Sequence, residues 1–387
     1  MPLDLSALAR QAEDAADHIE ALQAERQRQI LAAREERGRA TGSPLAARVR
    51  ARVARPGMAA IPLDEPRQVV RPLAEVSEYT VVSADGSHLD QDHHDAIRHW
   101  VINIGSARLT YGASPGAALG TVTRLGFRRG DLYRVMGGRR VRLQGQLLNV
   151  VRQVDEMDAV AGLCVRHPGA LGLIDGTLVL SSPSRLLDEE PTELVALYLS
   201  HVERARSSRA IVASYISRPA AAEAVTALRI GACPERECDE ACRFGEGGSR
   251  ACGAFTDICD RDLWEDLAPG ERSGLWRSLW PISDRYYGTH AVHFFYWNSG
   301  SEIARVEVPG WVAENQSALD RLVGVLRAQV RRGDQGYPRA LIEAHHRAVI
   351  TAQDRRSIES VLASALARSG NAAHTSAKET IKRLGGI

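Results

Sequence analysis

The stretch Tyr79-Thr-Val-Val-Ser-Ala-Asp85-Gly-Ser87 is echoed ninety residues later by Ala170-Leu-Gly-Leu-Ile-Asp175-Gly-Thr177. Each is a run of strand-forming residues closed by Asp-Gly and a hydroxyl residue. An Asp-Gly step is a turn signal, so each carboxylate is expected where a strand stops, at the rim of a sheet. Two carboxylates at two strand ends are what a divalent-cation site needs. Either Asp-Gly alone would be read as a plain turn; their recurrence makes Asp85 and Asp175 candidate ligands.

The elements around these two strands follow a recognisable order. His99-Trp-Val-Ile-Asn-Ile-Gly with Ala107-Arg-Leu-Thr-Tyr111, and then Gly120-Thr-Val-Thr-Arg-Leu-Gly-Phe127, read as two further strands. Short turns between the three suggest an antiparallel meander. Leu147, Leu148, Val151, Val154, Met157, Val160 and Leu163 recur at helical spacing, predicting a helix over about 143–164. The Asp175 strand, a helix over 192–205, a strand over 210–216 and a helix over 220–228 follow. Three strands, helix, strand, helix, strand is the ribonuclease H-like order, an α/β fold with helices on both faces of a mixed sheet. In that fold, metal-binding carboxylates come from the first strand, first helix, fourth strand and a late helix. Asp85, Glu156 and Asp175 fall on the first three. Glu156 has a competing reading as the partner of Arg152 one turn earlier.

The 387 residues leave room for additions to such a core. Residues 1–40 carry an amphipathic helical pattern (Leu3, Leu5, Leu8, Ile19, Leu22, Ile30, Leu31), suited to packing on its own domain or on a second copy. Residues 41–72, with five prolines and several arginines, read as an extended linker. From Arg26 to Arg55 nine arginines face only Glu35 and Glu36, against an overall net charge of +1. That run suits either a DNA backbone or a solvated arm. The nuclease-like core is then expected over 73–230 and 263–387, interrupted by a cysteine-rich segment over 231–262. Cys233, Cys238, Cys242, Cys252 and Cys259 lie there, spaced unlike paired Cys-x-x-Cys motifs. Structural zinc, an iron–sulfur cluster and free thiols all remain open for them. The charged loop His88–Asp95 is a weaker metal candidate.

Ala291–Asn298 and Glu302–Pro309 around Ser-Gly-Ser predict a β-hairpin, the second strand alternating apolar and charged residues. A helix over 315–332 and, from Pro338, a last helix continuing toward Ala367 complete the chain. No apolar run approaches the ~20 residues that span a bilayer, and the N-terminus lacks signal-peptide character. A cytoplasmic protein is the expectation.

Four segments in order resemble the NurA nuclease family, in its larger bacterial branch. They are the Asp85-Gly-Ser strand, the Glu156 helix, Leu173-Ile-Asp175-Gly-Thr-Leu178 and Gly336-Tyr-Pro-Arg-Ala-Leu-Ile-Glu-Ala-His345. The Phe294–Pro309 hairpin and Gly270-Glu-Arg-Ser273 add to the likeness, which spans about 75–365. The resemblance implies a manganese-dependent DNA nuclease, a homodimer working with a HerA-type hexameric ATPase in resection of DNA ends for double-strand break repair, with 5'-3' polarity. It implies Asp85 and Asp175 as metal ligands, Glu156 as ligand or orienter of the attacking water, His345 as the final ligand or a proton shuttle, and Tyr337 near the scissile phosphate.

Phosphodiester hydrolysis fits such a set: two divalent ions about 3.5–4 Å apart can activate the attacking water and stabilise the leaving oxygen. Oxygen ligands suit Mg2+ or Mn2+, and an imidazole tilts the choice to Mn2+. Two alternatives stand beside this reading: a non-catalytic adaptor that docks a DNA motor, and a nuclease of the same fold acting on RNA.

Overall fold

The computed structural model describes residues 4–52, 59–71, 76–90, 97–136, 138–180, 193–233 and 255–368. In chain order the elements are α1 (Leu5–Arg39), α2 (Gly42–Arg52), β1 (Ala60–Pro62), β2 (Val69–Val70), β3 (Tyr79–Leu89), β4 (Trp100–Tyr111) and β5 (Gly116–Gly126). There follow β6 (Tyr133–Met136), β7 (Arg139–Arg142), α3 (Gln146–Arg166), β8 (Leu171–Asp175), α4 (Glu193–Ser207), β9 (Ile211–Ile216), α5 (Glu223–Ala232) and α6 (Asp260–Leu263). The chain ends with β10 (Arg272–Ser273), β11 (Trp276–Ser278), α7 (Pro281–Tyr286), β12 (Val292–Asn298), β13 (Ile303–Pro309), α8 (Gly310–Ala313), α9 (Gln316–Arg332), α10 (Arg339–Ala348) and α11 (Ala352–Arg368). The chain divides into two compact units.

One unit comprises Leu73–Tyr215, Arg285–His290 and Glu307–Ile387. It is a mixed α/β unit whose sheet runs β9-β8-β3-β4-β5. The pairs β3–β4 and β4–β5 are antiparallel, whereas β3–β8 and β8–β9 are parallel. Helix α3 packs on β3, β4 and β8, and α10 on β3, β4, β5 and β8. Two glycines show which face each helix covers. A Cβ on Gly86 would meet Glu156 and Arg152 of α3, and one on Gly105 would meet Ala344, Arg347 and Ala348 of α10. Gly105 pairs with Asp85, the residue before Gly86, so the two glycines point to opposite faces. The sheet is sandwiched between the helices.

The other unit comprises Met1–Pro72, Ile216–Asp284 and Ala291–Val306. Its strands pair in the order β1-β11-β12, with β10 bridging β12 and β2. Ile30, Val49, Ile61, Leu228, Trp264, Trp276, Phe294 and Tyr296 form its core. The Trp264 ring stacks on Tyr296 with centroids 4.5 Å apart. Helix α5 has no capping side chain of its own at Ala222. Instead Asp260 accepts from Ala224 N (3.1 Å) and Val225 N (2.8 Å), and Tyr296 donates its hydroxyl to the same carboxylate (2.9 Å). Burial pushes the Asp260 carboxyl up to about 6 against the lowering pull of these bonds.

The local structure departs from expectation in six places. Residues 41–72 contain α2, β1 and β2 where an extended linker is predicted; Leu45 and Val49 are buried in the core beside Val225 and Leu228. The arginine run is largely committed within its own unit. Arg26 pairs with Asp262 (2.6 Å), Arg34 with Glu265 (3.0 Å) and Arg37 with Asp266 (2.5 Å), while Arg28 and Arg39 pair with Glu25 and Glu35 on α1. Strand β3 runs through Asp85-Gly86 to Leu89 instead of stopping there. The last helix breaks into α10 and α11 because Thr351 and Asp354 cap each other: Thr351 N donates to Asp354 (2.8 Å) and Asp354 N to Thr351 Oγ1 (3.1 Å). In the strand expected to alternate apolar with charged residues, the charged residues Arg305 and Glu307 are themselves buried. The β6–β7 hairpin has no counterpart in the sequence reading.

Candidate active site

The register of the sheet brings the two aspartates together. Ala84 of β3 pairs with Ile174 of β8 in parallel, so Asp85 and Asp175 lie side by side at the next position. Strand period two sends both side chains to one face, the face under α10. Asp175 pairs in turn with Tyr215 of β9, and Asp85 with Gly105 of β4. A single transverse row, Gly105–Asp85–Asp175–Tyr215, therefore floors the site.

The region from Gly336 through α10 supplies the roof. His345 Nδ1 hydrogen-bonds Asp85 Oδ2 at 2.8 Å, and the Tyr337 hydroxyl donates to Asp175 Oδ1 at 2.7 Å. Tyr337 also packs edge-on against Tyr215, centroids 5.3 Å apart. A donating Nδ1 leaves His345 Nε2 as the acceptor, on a ring that is largely solvent-exposed. The neighbouring His346 ring lies with its centroid 6.3 Å from that of His345.

Helix α10 is tied down at both ends. At its start, Gln329 of α9 accepts from Ala340 N (3.0 Å) and donates to the Tyr79 hydroxyl (3.0 Å). At its end, Asn103 Nδ2 donates to Ala348 O (2.8 Å) and Arg347 O (3.2 Å), and Ser87 Oγ donates to Ala348 O. Such terminal carbonyls have no partner within their own helix. Thr123 fixes the Asn103 amide by donating to its Oδ1 at 2.6 Å. Gly105 permits the close approach, since a Cβ there would lie 2.3 Å from Ala344 O.

Glu156 reaches β3 from the other face, through the gap left by Gly86, whose Cβ would lie 2.6 Å from Glu156 Oε1. Gly86 is extended and paired with Ile104, so its small size, not a turn, is what the site uses. Arg152 forms an ion pair with Glu156 and donates to Gly86 O at 2.9 Å. Burial pushes the Glu156 carboxyl up to about 8; Arg152 pulls it down, and Asp85 and Asp175 push it up. The Asp175 carboxyl is raised too, through desolvation by surrounding protein, against the Tyr337 hydrogen bond and with Asp85 adding to the rise. Burial, with Asp175 beside it, also raises the Tyr337 hydroxyl, which stays protonated as a donor.

Behind Asp175 the chain turns at Gly176, whose φ of +84° favours glycine. Buried Glu307 then holds the turn, accepting from Thr177 Oγ1 (2.8 Å) and Leu178 N (2.7 Å). Here the Asp-Gly turn predicted from sequence is present; at Asp85 it is not.

Asp85, Asp175, Tyr337 and His345 are thus gathered on one face, and Glu156 approaches from the other. Among the described residues, no three carboxylate, imidazole or thiol side chains converge on one point, so no closed cation cage exists. The chemistry of the set still fits a divalent cation. Two carboxylates stand in one row, with Asp85 adding to the rise at Asp175, and a cation would relieve their repulsion. Tyr215, Gly105, Asn103, Gln329 and Glu307 belong to the site's support and were not singled out from sequence. Gly105 carried a readable signal, a glycine inside a strand; the others depend on contacts far apart in the chain.

Of the cysteines, Cys238, Cys242 and Cys252 lie outside the described residues. Cys233 is buried at the end of α5. The Cys259 thiol donates to Asp262 Oδ2 at 3.3 Å, and burial raises it to about 11. Asp92, His93, His94 and Asp95 of the charged loop are likewise outside the described residues. No described helix is long and apolar enough to cross a membrane.

The model of the NurA domain family matches residues 79–350, which includes every residue of the site just described. No curated protein matches the chain.

Proposed function

This chain belongs to the NurA domain family, a family of nucleases, and on that premise we propose that it hydrolyses DNA phosphodiester bonds with divalent cations bound at Asp85 and Asp175. The observation that carries the reading is the adjacency of these carboxylates on parallel strands beneath His345 and Tyr337. The antiparallel β3–β5 meander followed by α3 and parallel β8 and β9 supports a ribonuclease H-like core.

Asp85 and Asp175 would hold the cations, with His345 Nε2 and Glu156 as further donors; manganese is the better match and magnesium the alternative. When bound, two such ions supply Lewis-acid activation of water and charge stabilisation at the leaving oxygen. The chain's own residues do the rest. Tyr337 fixes the orientation of Asp175 through its hydroxyl. His345, oriented by Asp85, presents an exposed Nε2 as a metal donor or proton acceptor. Arg152 balances Glu156 where it is buried against β3.

The proposed setting is end resection, 5'-3', by a homodimer beside a HerA-type hexameric ATPase. For Cys233, Cys238, Cys242, Cys252 and Cys259 the proposal is structural zinc or an iron–sulfur cluster, which elemental analysis of the purified chain tests. The deciding experiment is cleavage of end-labelled single- and double-stranded DNA with Mn2+, Mg2+ or EDTA, for wild type and Asp85→Ala. Metal-dependent cleavage lost in the variant supports the reading, and product lengths give polarity. Equal activity in both proteins, or none in either with the ATPase added, refutes it. An RNA substrate in parallel separates the two nucleic acids.

A further inference from the structure

We propose that the β6–β7 hairpin and the turn before it form a binding platform for an unpaired nucleic-acid strand, separate from the cleavage site. The proposal rests on the nuclease reading for its purpose, not for its observations.

Between Arg124 and Arg142 the sequence holds seven arginines and one acidic residue, Asp131, in a chain whose overall charge is +1. Asp131 is spent on the turn, accepting from Arg128 N (3.0 Å) and Phe127 N (3.4 Å). Arg124 pairs with Asp155 (2.5 Å). Among the described residues, no ion pair joins Arg128, Arg129, Arg134, Arg139, Arg140 or Arg142 to a carboxylate. The arginines of α1, by contrast, largely find acidic partners. Six guanidiniums without an ion-paired carboxylate on one short segment repel one another, a cost that a bound polyanion would relieve.

Aromatic rings are interleaved with them. The Arg140 guanidinium lies over the Tyr133 ring, 4.3 Å from its centroid, and Arg128 over Phe127 at 5.7 Å. In the hairpin register Tyr133 pairs with Arg142 and Val135 with Arg140, so these four share one face. Val135 is 72 % exposed and Phe127 48 % exposed. Positive charge alone would suit a duplex or an acidic protein. An exposed Phe127 ring and a half-buried Tyr133 ring beside guanidiniums suit bases that are free to stack, which an unpaired strand offers.

The platform edge lies on the face of the sheet covered by α3, opposite to the face that carries Asp85 and Asp175. Arg124 pairs with Ile102 and Ile102 with His88, three residues beyond Asp85. The platform edge is therefore two strand spacings from β3, about 10 Å across the sheet, level with His88 and not with Asp85. Tyr133, Arg134 and Val135 line an open cleft with Arg124 and Trp100, and Glu193 is the carboxylate on its wall besides Asp131.

The test is binding of a fluorescent single-stranded oligonucleotide, its duplex and polyglutamate to the full chain in EDTA. Binding then does not depend on cleavage. Arg139→Ala/Arg140→Ala should weaken single-strand binding about ten-fold and flatten the salt dependence by about one to one and a half units of slope. Tyr133→Ala should weaken it about five-fold or more with the salt slope unchanged, Tyr133→Phe should retain it, and duplex affinity should be indifferent to both. Hydrolysis of bis(p-nitrophenyl) phosphate should be unaltered in all these variants. Failure of the wild type to hydrolyse this small diester would count against the nuclease reading alone. Unchanged single-strand affinity in Arg139→Ala/Arg140→Ala and Tyr133→Ala would overturn the platform. So would equal losses on duplex, or stronger binding of polyglutamate than of the oligonucleotide.

Discussion

Asp85 and Asp175 occupy equivalent positions on neighbouring parallel strands, one step beyond the Ala84–Ile174 pair, and both face α10. Their side chains come within range of each other without either strand bending. This follows from register alone, and each carboxylate is then oriented by one residue from the α10 region, His345 or Tyr337.

Tyr337→Phe should separate orientation from packing. Phenylalanine keeps the edge-on contact with Tyr215 but removes the donor to Asp175, and with it a bond that lowers the Asp175 pKa. A required carboxylate with a higher pKa loses its charge at higher pH, so the acid limb of the activity profile should move upward. Activity at neutral pH should fall about tenfold, roughly 1.4 kcal/mol of transition-state stabilisation. Rate profiles against pH and metal concentration check this; a profile shifted downward would contradict it.

Gly105→Ala should be among the most damaging small substitutions in the sheet. Its Cβ would lie 2.3 Å from Ala344 O, and both atoms belong to rigid elements. Helix α10 must lift, at a cost of about 1–3 kcal/mol, and His345 moves with it. Denaturant unfolding should show the loss, and activity should fall further than the residual folded fraction explains.

Asn103→Ala removes the side chain that serves Arg347 O and Ala348 O. Ser87 still reaches Ala348 O, so the expected destabilisation is moderate, about 1–2 kcal/mol. Hydrogen exchange should show the loss concentrated in the last turn of α10. Uniform acceleration across the unit would argue against a local role.

Asp260 makes stability depend on pH. Its folded pKa, about 6, lies above the ordinary 3.8. The native state thus holds this proton more tightly than the unfolded chain. The resulting stabilisation is complete below about pH 4 and is lost as pH rises through 6. Asp260→Asn abolishes this descent but cannot accept from both Ala224 N and Val225 N, at a cost of about 1–3 kcal/mol for the unpaired donor. The stability gap between wild type and variant should be widest near pH 4 and narrow toward pH 7. Denaturation midpoints across that range decide it; a widening gap would refute the assignment.

The sequence disclosed those parts of the fold that rest on local pattern. Strand β8 with its Asp-Gly turn, helix α3 and the Val292–Pro309 hairpin all carry their periodicity in adjacent residues. It misjudged features set by distant partners. Asp85-Gly86 looks like Asp175-Gly176, yet Gly86 is a strand residue because Gly105 and Ile104 continue the ladder and Glu156 fills the space beneath. The arginines of α1 looked available because Asp262, Glu265 and Asp266 lie some 230 residues away. The helix break at Val349 was legible, in the Thr351-x-x-Asp354 capping pair, which the reading of one helix toward Ala367 passed over.

The attachment of α10 to Ser87, Asn103 and Gly105 also sets the sequence of events in folding. A slip of one residue between β3 and β4 would turn Asn103 and Gly105 away and leave the helix no seat. The helix is synthesised more than two hundred residues after these strands, so it can dock only on a meander already paired correctly. A mispaired chain therefore never assembles His345 over Asp85: the same contacts that place the histidine act as a proofreading step, and misfolded copies are born without the completed site.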